Sequence, residues 1–283
     1  MTRLSLAMIA ALGMIASALP LRAGEAERVV SIGGAVTEIV YALGEADRLV
    51  ARDTTSNYPP EAEALPDVGY IRALSPEGVL SVAPDLILSE EGAGPPEAVE
   101  LLRSAAIPFA EVPGGFTRAA IGAKIRAVGD ALGVPDKAEV LAAQVAADLD
   151  AALDGVEAGG KRVLFILSMQ GGRVMASGRD TAADGIIRLA GAENAVTAFS
   201  GYKPMTDEAV TQAAPDVILM MDREGDHAAA DAQLLAHPAI STTPAARNRA
   251  IVRMDGMFLL GFSVRTPEAV RALARALHAP AAQ

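Results

Sequence analysis

"DVGYIRALSPEGVLSVAPDLILS" (residues 67–89) and "FSGYKPMTDEAVTQAAPDVILM" (residues 199–220) are two versions of one pattern. Each runs Gly-Tyr, a helix start, then Ala-Pro-Asp and an apolar strand. Glu208 follows Glu77 by 131 residues and Pro215 follows Pro84 by 131, while Tyr202 follows Tyr70 by 132. In the first version Ser75-Pro76-Glu77 reads as a helix start, with serine at N-cap and proline at the first helical position. DLILS then reads as a strand. Three matched blocks in register imply duplicated architecture.

Working outward, ERVVSIG (27–33) is a β-branched run that ends in glycine. AVTEIVYALG (35–44) follows with apolar residues at helical spacing and a glycine stop. DRLVARD reads as a strand, TTSNYPPEAEALPD is rich in turn residues, and IPFAEVP adds a strand near 107. From Thr117 to about Val156 the composition is helical, interrupted at Gly133-Val134-Pro135. GGKRVLFILS (159–168) then restarts a buried strand. Strands alternating with helices imply βαβ units and a mostly parallel sheet. The expected fold is α/β: two Rossmann-like lobes with central, mostly parallel sheets, joined by one long interdomain helix. The boundaries are residues 24–135 for the N-terminal lobe, 136–158 for the helix and 159–283 for the C-terminal lobe. A cleft between two such lobes is where a small ligand binds.

Residues 1–23 read as a cleavable secretory signal peptide: Arg3, an uncharged apolar run over 4–20, then small residues up to Ala23. No later segment holds the roughly 18 unbroken apolar residues that a membrane span needs. The 283-residue chain has no cysteine, which excludes a disulfide framework and a lipid-modified cysteine anchor. Together these features predict a soluble protein of the bacterial periplasm. The net charge is −11 over the whole sequence and becomes −13 without Arg3 and Arg22. Such an acidic chain disfavours nucleic acid and anionic lipid and suits a basic protein partner.

Enzyme signatures are scarce. There is no phosphate loop, no HExxH and no GxSxG elbow, since GFSVR lacks the second glycine. His227, His237 and His278 form no pairing pattern, and His278 suits a solvated last helical turn. An exported enzyme is therefore the weaker class of reading. Tyr41 falls at apolar helical spacing and Tyr58 in a turn. Tyr70 follows Gly69 in a loop before a helix, the kind of loop that lines a βα crevice. Arg72 lies two residues on and Arg52 ends an earlier strand. A phenol beside guanidinium groups ionises more easily, and phenolate suits ferric iron. Composition leaves Tyr70 either a generic pocket residue or a ligand.

RVVSIGGAVTEIVYALG, RDTTSNYP, VGYIRALSPEGVLSVAPDLIL, GYKPMTDEAV and LLAHPAISTTPAARNRAIVRMDGMFLLGFSVRTPEAV together cover nearly all the chain after the signal. In these segments the chain resembles the haem-binding periplasmic proteins of bacterial haemin ABC importers. That family belongs to a larger group that carries cobalamin and siderophores. The resemblance implies that Tyr70 ligates the iron of ferric haem b, the transported ligand. It implies a monomeric carrier, not an enzyme, that delivers to the permease dimer of an inner-membrane ABC transporter. Some relatives place a histidine near the segment matched by SGRDTAADGII (177–187) and hold two stacked haems. This segment has none, so a single haem is expected. Arg223 matches a second-lobe arginine that hydrogen-bonds the ligating tyrosine in some relatives. Arg72 and Arg52 are further pocket residues, and Tyr202 is a pocket wall or a second oxygen ligand. Glu77 and Glu208 are either plain first-turn carboxylates or a pair that docks onto the two permease halves. The alternative cargo within the same fold is cobalamin or a ferric siderophore.

Overall fold

The computed structural model describes residues 26–156, 159–222 and 231–278. The expected signal peptide lies outside them, as do Arg223 and His227.

The N-terminal lobe contains β1 (Val29–Ile32), α1 (Gly34–Ala42), β2 (Leu49–Arg52), α2 (Pro76–Leu80) and β3 (Leu86–Glu90). It continues with α3 (Pro96–Ser104), β4 (Phe109–Val112) and α4 (Arg118–Leu132). Its four strands pair in the order β2-β1-β3-β4, all parallel. The long helix α5 spans Pro135–Leu153. The sequence separates it from α4 in two ways. Gly133 takes the left-handed conformation at φ 73°, which only glycine adopts freely, and closes α4. Pro135 then opens α5 at a position where no N–H is needed.

The C-terminal lobe runs β5 (Arg162–Gln170), β6 (Arg173–Ser177), α6 (Ala182–Leu189), β7 (Glu193–Asn194), β8 (Tyr202–Met205), α7 (Asp207–Ala213) and β9 (Val217–Asp222). It ends with α8 (Asp231–Ala236), α9 (Pro238–Ser241), α10 (Pro244–Arg247), β10 (Ile251–Asp255), α11 (Gly256–Leu260) and α12 (Thr266–His278). Its sheet runs β10-β9-β5-β6-β8, with β7 also on β5. The β10–β9, β9–β5 and β5–β7 pairings are parallel, as the sequence predicts, but β6 runs antiparallel to both its neighbours, β5 and β8. The cause is local. Gly171 and Gly172, at φ 58° and 74°, make a two-residue hairpin that turns β6 back along β5.

Apolar residues alternate across both sheets, so each sheet is buried on both faces. Val29, Leu86 and Leu88 of the first sheet and Val163, Phe165 and Leu219 of the second face a shared central core. Val30, Ile32 and Ile87 face an outer core on the first sheet, and Leu164, Ile166 and Ile218 face one on the second. Helix α5 packs between α4 and α12 and adds Val145 and Leu149 to the central core. The lobes are thus joined by continuous packing as well as by a helix. Among the described residues no helix is long and apolar enough to cross a membrane.

Candidate functional site

The parallel strands of the first sheet all release their loops at one edge. The loop after β2 is fixed by a buried carboxylate: Asp53 accepts from the N–H of Gly33 at 2.9 Å and the hydroxyl of Ser56 at 2.7 Å. Its other oxygen accepts from the Thr55 N–H at 3.0 Å and the Thr55 hydroxyl at 2.8 Å. Four donors satisfy a charge that would otherwise be costly to bury. Farther along, Arg52 pairs with Asp67 at 3.0 Å, the Val68 N–H donates to the Arg52 carbonyl at 2.9 Å, and the Thr54 N–H donates to the Gly69 carbonyl at 3.0 Å.

Gly69 holds φ 103°, a conformation that suits glycine, and the next residue is Tyr70. Val68 and Ile71, each 7 % exposed, anchor the backbone in the outer core on either side of it. Tyr70 itself is 49 % exposed. The chain therefore presents a phenol outward from a backbone that is pinned before and after it.

Arg72 folds onto the loop after β3 and donates to the Gly92 carbonyl. A Cβ on Gly92 would meet the Arg72 Nη1 at 2.9 Å, so a side chain there would push the guanidinium away. The charge of Arg72 acts on Tyr202, at the start of β8 in the other lobe. Burial raises the pKa of the Tyr202 phenol, opposed by the Thr181 hydroxyl, the Ala183 N–H and the Arg72 charge. Its ring meets that of Phe165 edge-on, with centroids 6.3 Å apart. Tyr202 is thus a neutral phenol packed beside the start of α6.

A model of periplasmic binding proteins matches residues 29–257. The chain belongs to this family. Among solved structures it is similar to the periplasmic heme-binding protein BhuT in complex with two hemes. The two are 43 % identical, with 88 % of this chain and 97 % of that one covered and a TM-score of 0.84. It is also similar to the apo form of the periplasmic heme-binding protein RhuT from Roseiflexus sp. RS-1. Here identity is 39 %, coverage 90 % and 99 %, and the TM-score 0.86. A vitamin B12-binding protein of Yersinia pseudotuberculosis is 38 % identical over 100 residues, 35 % of this chain and 36 % of that protein. The chain spans 64 % or less of the length of the curated relatives it matches first.

In this periplasmic binding protein the remaining sequence candidates fall in different places. The Arg52 side chain is 13 % exposed and committed to Asp67 and the Asp53 carbonyl, so it braces the Tyr70 loop. Glu77 and Glu208 are exposed and each is the second residue of its helix, α2 and α7. The helices start alike, since Ser75 accepts from the Gly78 N–H and Thr206 from the Ala209 N–H. Glu77 is held below the ordinary carboxylate range by its own backbone N–H and then by the Ser75 hydroxyl. Arg223 lies outside the described residues. His278 is exposed at the end of α12, whereas His237 is 9 % exposed and bonds the Gly172 carbonyl at 2.8 Å.

Sequence reasoning missed the contacts that cross between the lobes of this binding protein. Glu38 of α1, 2 % exposed, holds both the Ser263 hydroxyl and the Arg265 guanidinium. That guanidinium also lies over the Tyr58 ring, 3.7 Å from its centroid. Lys124 of α4, 1 % exposed, pairs with Glu90 and reaches the Gly261 carbonyl at 3.4 Å. Phe116, in the loop after β4, meets Phe262 edge-on at 5.4 Å. Glu38 and Lys124 occupy positions that look solvent-facing in a helical pattern, and only their partners reveal otherwise. A concavity of about 540 Å³ between the end of α1 and the start of α5 includes Leu43, Lys137 and Val140 but not Tyr70 or Tyr202. Among the described residues no group of three or more histidine, cysteine or acidic side chains is placed to hold a metal ion.

Proposed function

We propose that this protein is an exported haem carrier. It takes up ferric haem b in the cleft between its lobes and delivers it to the permease dimer of an inner-membrane ABC transporter. One observation carries the reading: Tyr70 is presented half-exposed from a pinned loop, with Arg72 two residues on folded over the neighbouring loop after β3. A ligand fixed in place before binding spends little of its interaction energy on ordering. Similarity to two heme-binding structures at 39 % and 43 % identity supports the same cargo. In this reading Tyr70 is the iron ligand as phenolate. Tyr202 and Arg72 flank the macrocycle, Arg52 supports the loop, and Arg223 completes the second-lobe side. The protein acts as a monomer in the periplasm after its signal peptide is removed, and its work is binding, not turnover.

A titration of the purified protein with hemin, followed by optical spectroscopy, tests this. Expected are a ferric–tyrosinate charge-transfer feature and an end point at one equivalent. Reduction should favour release, because ferrous iron is a poorer match for an anionic hard oxygen. An end point at two equivalents would align the chain with the two-heme complex of BhuT. The similarity to a vitamin B12-binding protein favours cobalamin as second reading. No spectral change with hemin, together with saturable uptake of cyanocobalamin, would establish that cargo instead.

A further inference from the structure

The exposed large apolar side chains among the described residues include three near the lobe junction: Tyr70, Tyr202 and Phe116. Hydrogen bonds and packing run from the Tyr70 loop through Phe116 to the second lobe. Arg72, two residues after Tyr70, donates to the Gly92 carbonyl. The neighbouring Glu91 accepts from the Gly114 N–H at 2.8 Å, which ties the loop after β3 to the loop after β4. Two residues on, Phe116 crosses to the second lobe and packs on Gly185 of α6. A Cβ on that glycine would meet the Phe116 Cβ and carbonyl oxygen at 2.8 Å and the Phe262 ring at 2.9 Å. The N-cap of the same helix is Thr181, whose hydroxyl is hydrogen-bonded with that of Ser177, and Ser177 pairs with Tyr202 across β6 and β8. These contacts pass from the loops beside Tyr70 in one lobe to α6 and β8 in the other.

Phe116 is out of place there as a packing residue. Its partner Phe262 is 2 % exposed, while Phe116 keeps 38 % of its surface open although it meets Phe262 edge-on and its backbone and Cβ lie against Gly185. An aromatic side chain left open where two lobes meet is a contact surface for a flat apolar ligand. We propose that Phe116 is the apolar floor of the cleft, in contact with the tetrapyrrole ring, and that it sets affinity for the macrocycle independently of the iron. This rests on the haem reading for the class of ligand. It divides recognition between two residues: Tyr70 reads the metal and Phe116 reads the ring.

Hemin and iron-free protoporphyrin IX, each titrated against the full chain, separate the two roles. Phe116→Ala should weaken both ligands by a similar factor, on the order of tenfold, the scale of a buried aromatic contact. Tyr70→Phe should weaken hemin and leave iron-free protoporphyrin unchanged. Phe116→Leu keeps bulk against Gly185 and guards against a folding defect. It should unfold at the parent's temperature and still weaken both ligands by a smaller, equal factor. A folded Phe116→Leu or Phe116→Ala protein that binds both ligands as the parent does overturns the proposal while leaving the haem reading intact. A loss confined to hemin also overturns it. A parent protein that binds neither porphyrin sinks the haem reading and this inference with it.

Discussion

Ala83 and Ala214 both sit in the left-handed region, at φ 47° and 40°, each directly before a proline and an aspartate. Asp85 accepts the N–H groups of Glu27 and Arg28 at the start of β1, and Asp216 accepts the Arg162 N–H at the start of β5. The arginines return the contact: Arg28 donates to the carbonyls of Val82 and Ala83, and Arg162 to that of Ala213. At this end the two copies of the repeat are one structural device that ends a helix and starts the parallel pair. At the Gly-Tyr end they part. Tyr70 stands in a loop between two buried anchors, whereas Tyr202 opens an antiparallel strand and faces the start of α6. A repeat can thus conserve the joint between strand and helix while its other end is free to diverge.

The sharpest test is at the end where the copies differ. Tyr70→Phe should weaken ferric haem binding by about 100-fold, ~2.7 kcal/mol, and abolish the charge-transfer feature. Tyr202→Phe should cost less than about threefold by the same titration. Equal losses would mean that the copies act alike here after all. The raised pKa of Tyr202 gives a second handle. Folding holds the proton, so stability is full below the ordinary value of 10.0 and declines as pH rises past it. Tyr202→Phe should remove part of that alkaline decline in a pH series of unfolding curves. Tyr41, also raised by burial, contributes to the same decline and remains in that variant.

At the shared end the effects should run in parallel but differ in size. Asp85 holds two backbone N–H groups and Asp216 one. Asp85→Ala should therefore cost about 2 kcal/mol and Asp216→Ala about 1, read from denaturant unfolding. The reverse order would show that the number of donors does not set the strength of the joint. Smaller still is the backbone effect at the alanines. Left-handed alanine costs about 1–2 kcal/mol, and the extra chain entropy of glycine takes back about 0.5–1. Ala83→Gly and Ala214→Gly should each stabilise by roughly 0.5 kcal/mol. A fall in melting temperature for both would remove strain from the account of this joint.

The same contrast explains what the sequence made legible. The Ala-Pro-Asp joint, the Ser75 N-cap and the Gly133-Val134-Pro135 break are local: the residue types fix their own backbone, so their patterns show. Glycine pairs also act locally, and Gly171-Gly172 would have announced the β5–β6 hairpin and with it the antiparallel half of the second sheet. Phe116 carried no such signal, because its exposure is decided by Gly185 and Phe262, which are distant in sequence. Glu38 and Lys124 were hidden for the same reason. Tyr70 stood out through its loop and neighbours, whereas the pairing of Arg52 with Asp67 closes only in three dimensions and left no local signal.

The smallest expected effect on binding comes from the glutamates that the repeat places alike, and it tests whether likeness at the surface serves a partner. Glu77 and Glu208 are exposed in the first turns of α2 and α7. Neither lies among the contacts that run from the Tyr70 loop through Phe116 to the second lobe, so a Glu77→Ala, Glu208→Ala double variant should keep its haem spectrum and affinity. It should also stay folded, because the Ser75 and Thr206 caps remain. Haem delivery to a reconstituted transporter should fall, and each single variant should fall less, since the other lobe still engages its half of the permease. Rising salt should weaken delivery by the parent, as screening weakens charge-guided docking. Glu77, held below the ordinary carboxylate value of 4.5, keeps its charge as pH falls into that range, so its share of docking should persist there. A double variant that delivers haem at the parent's rate would reduce both glutamates to helix-start residues, and the repeat would then be structural at both positions.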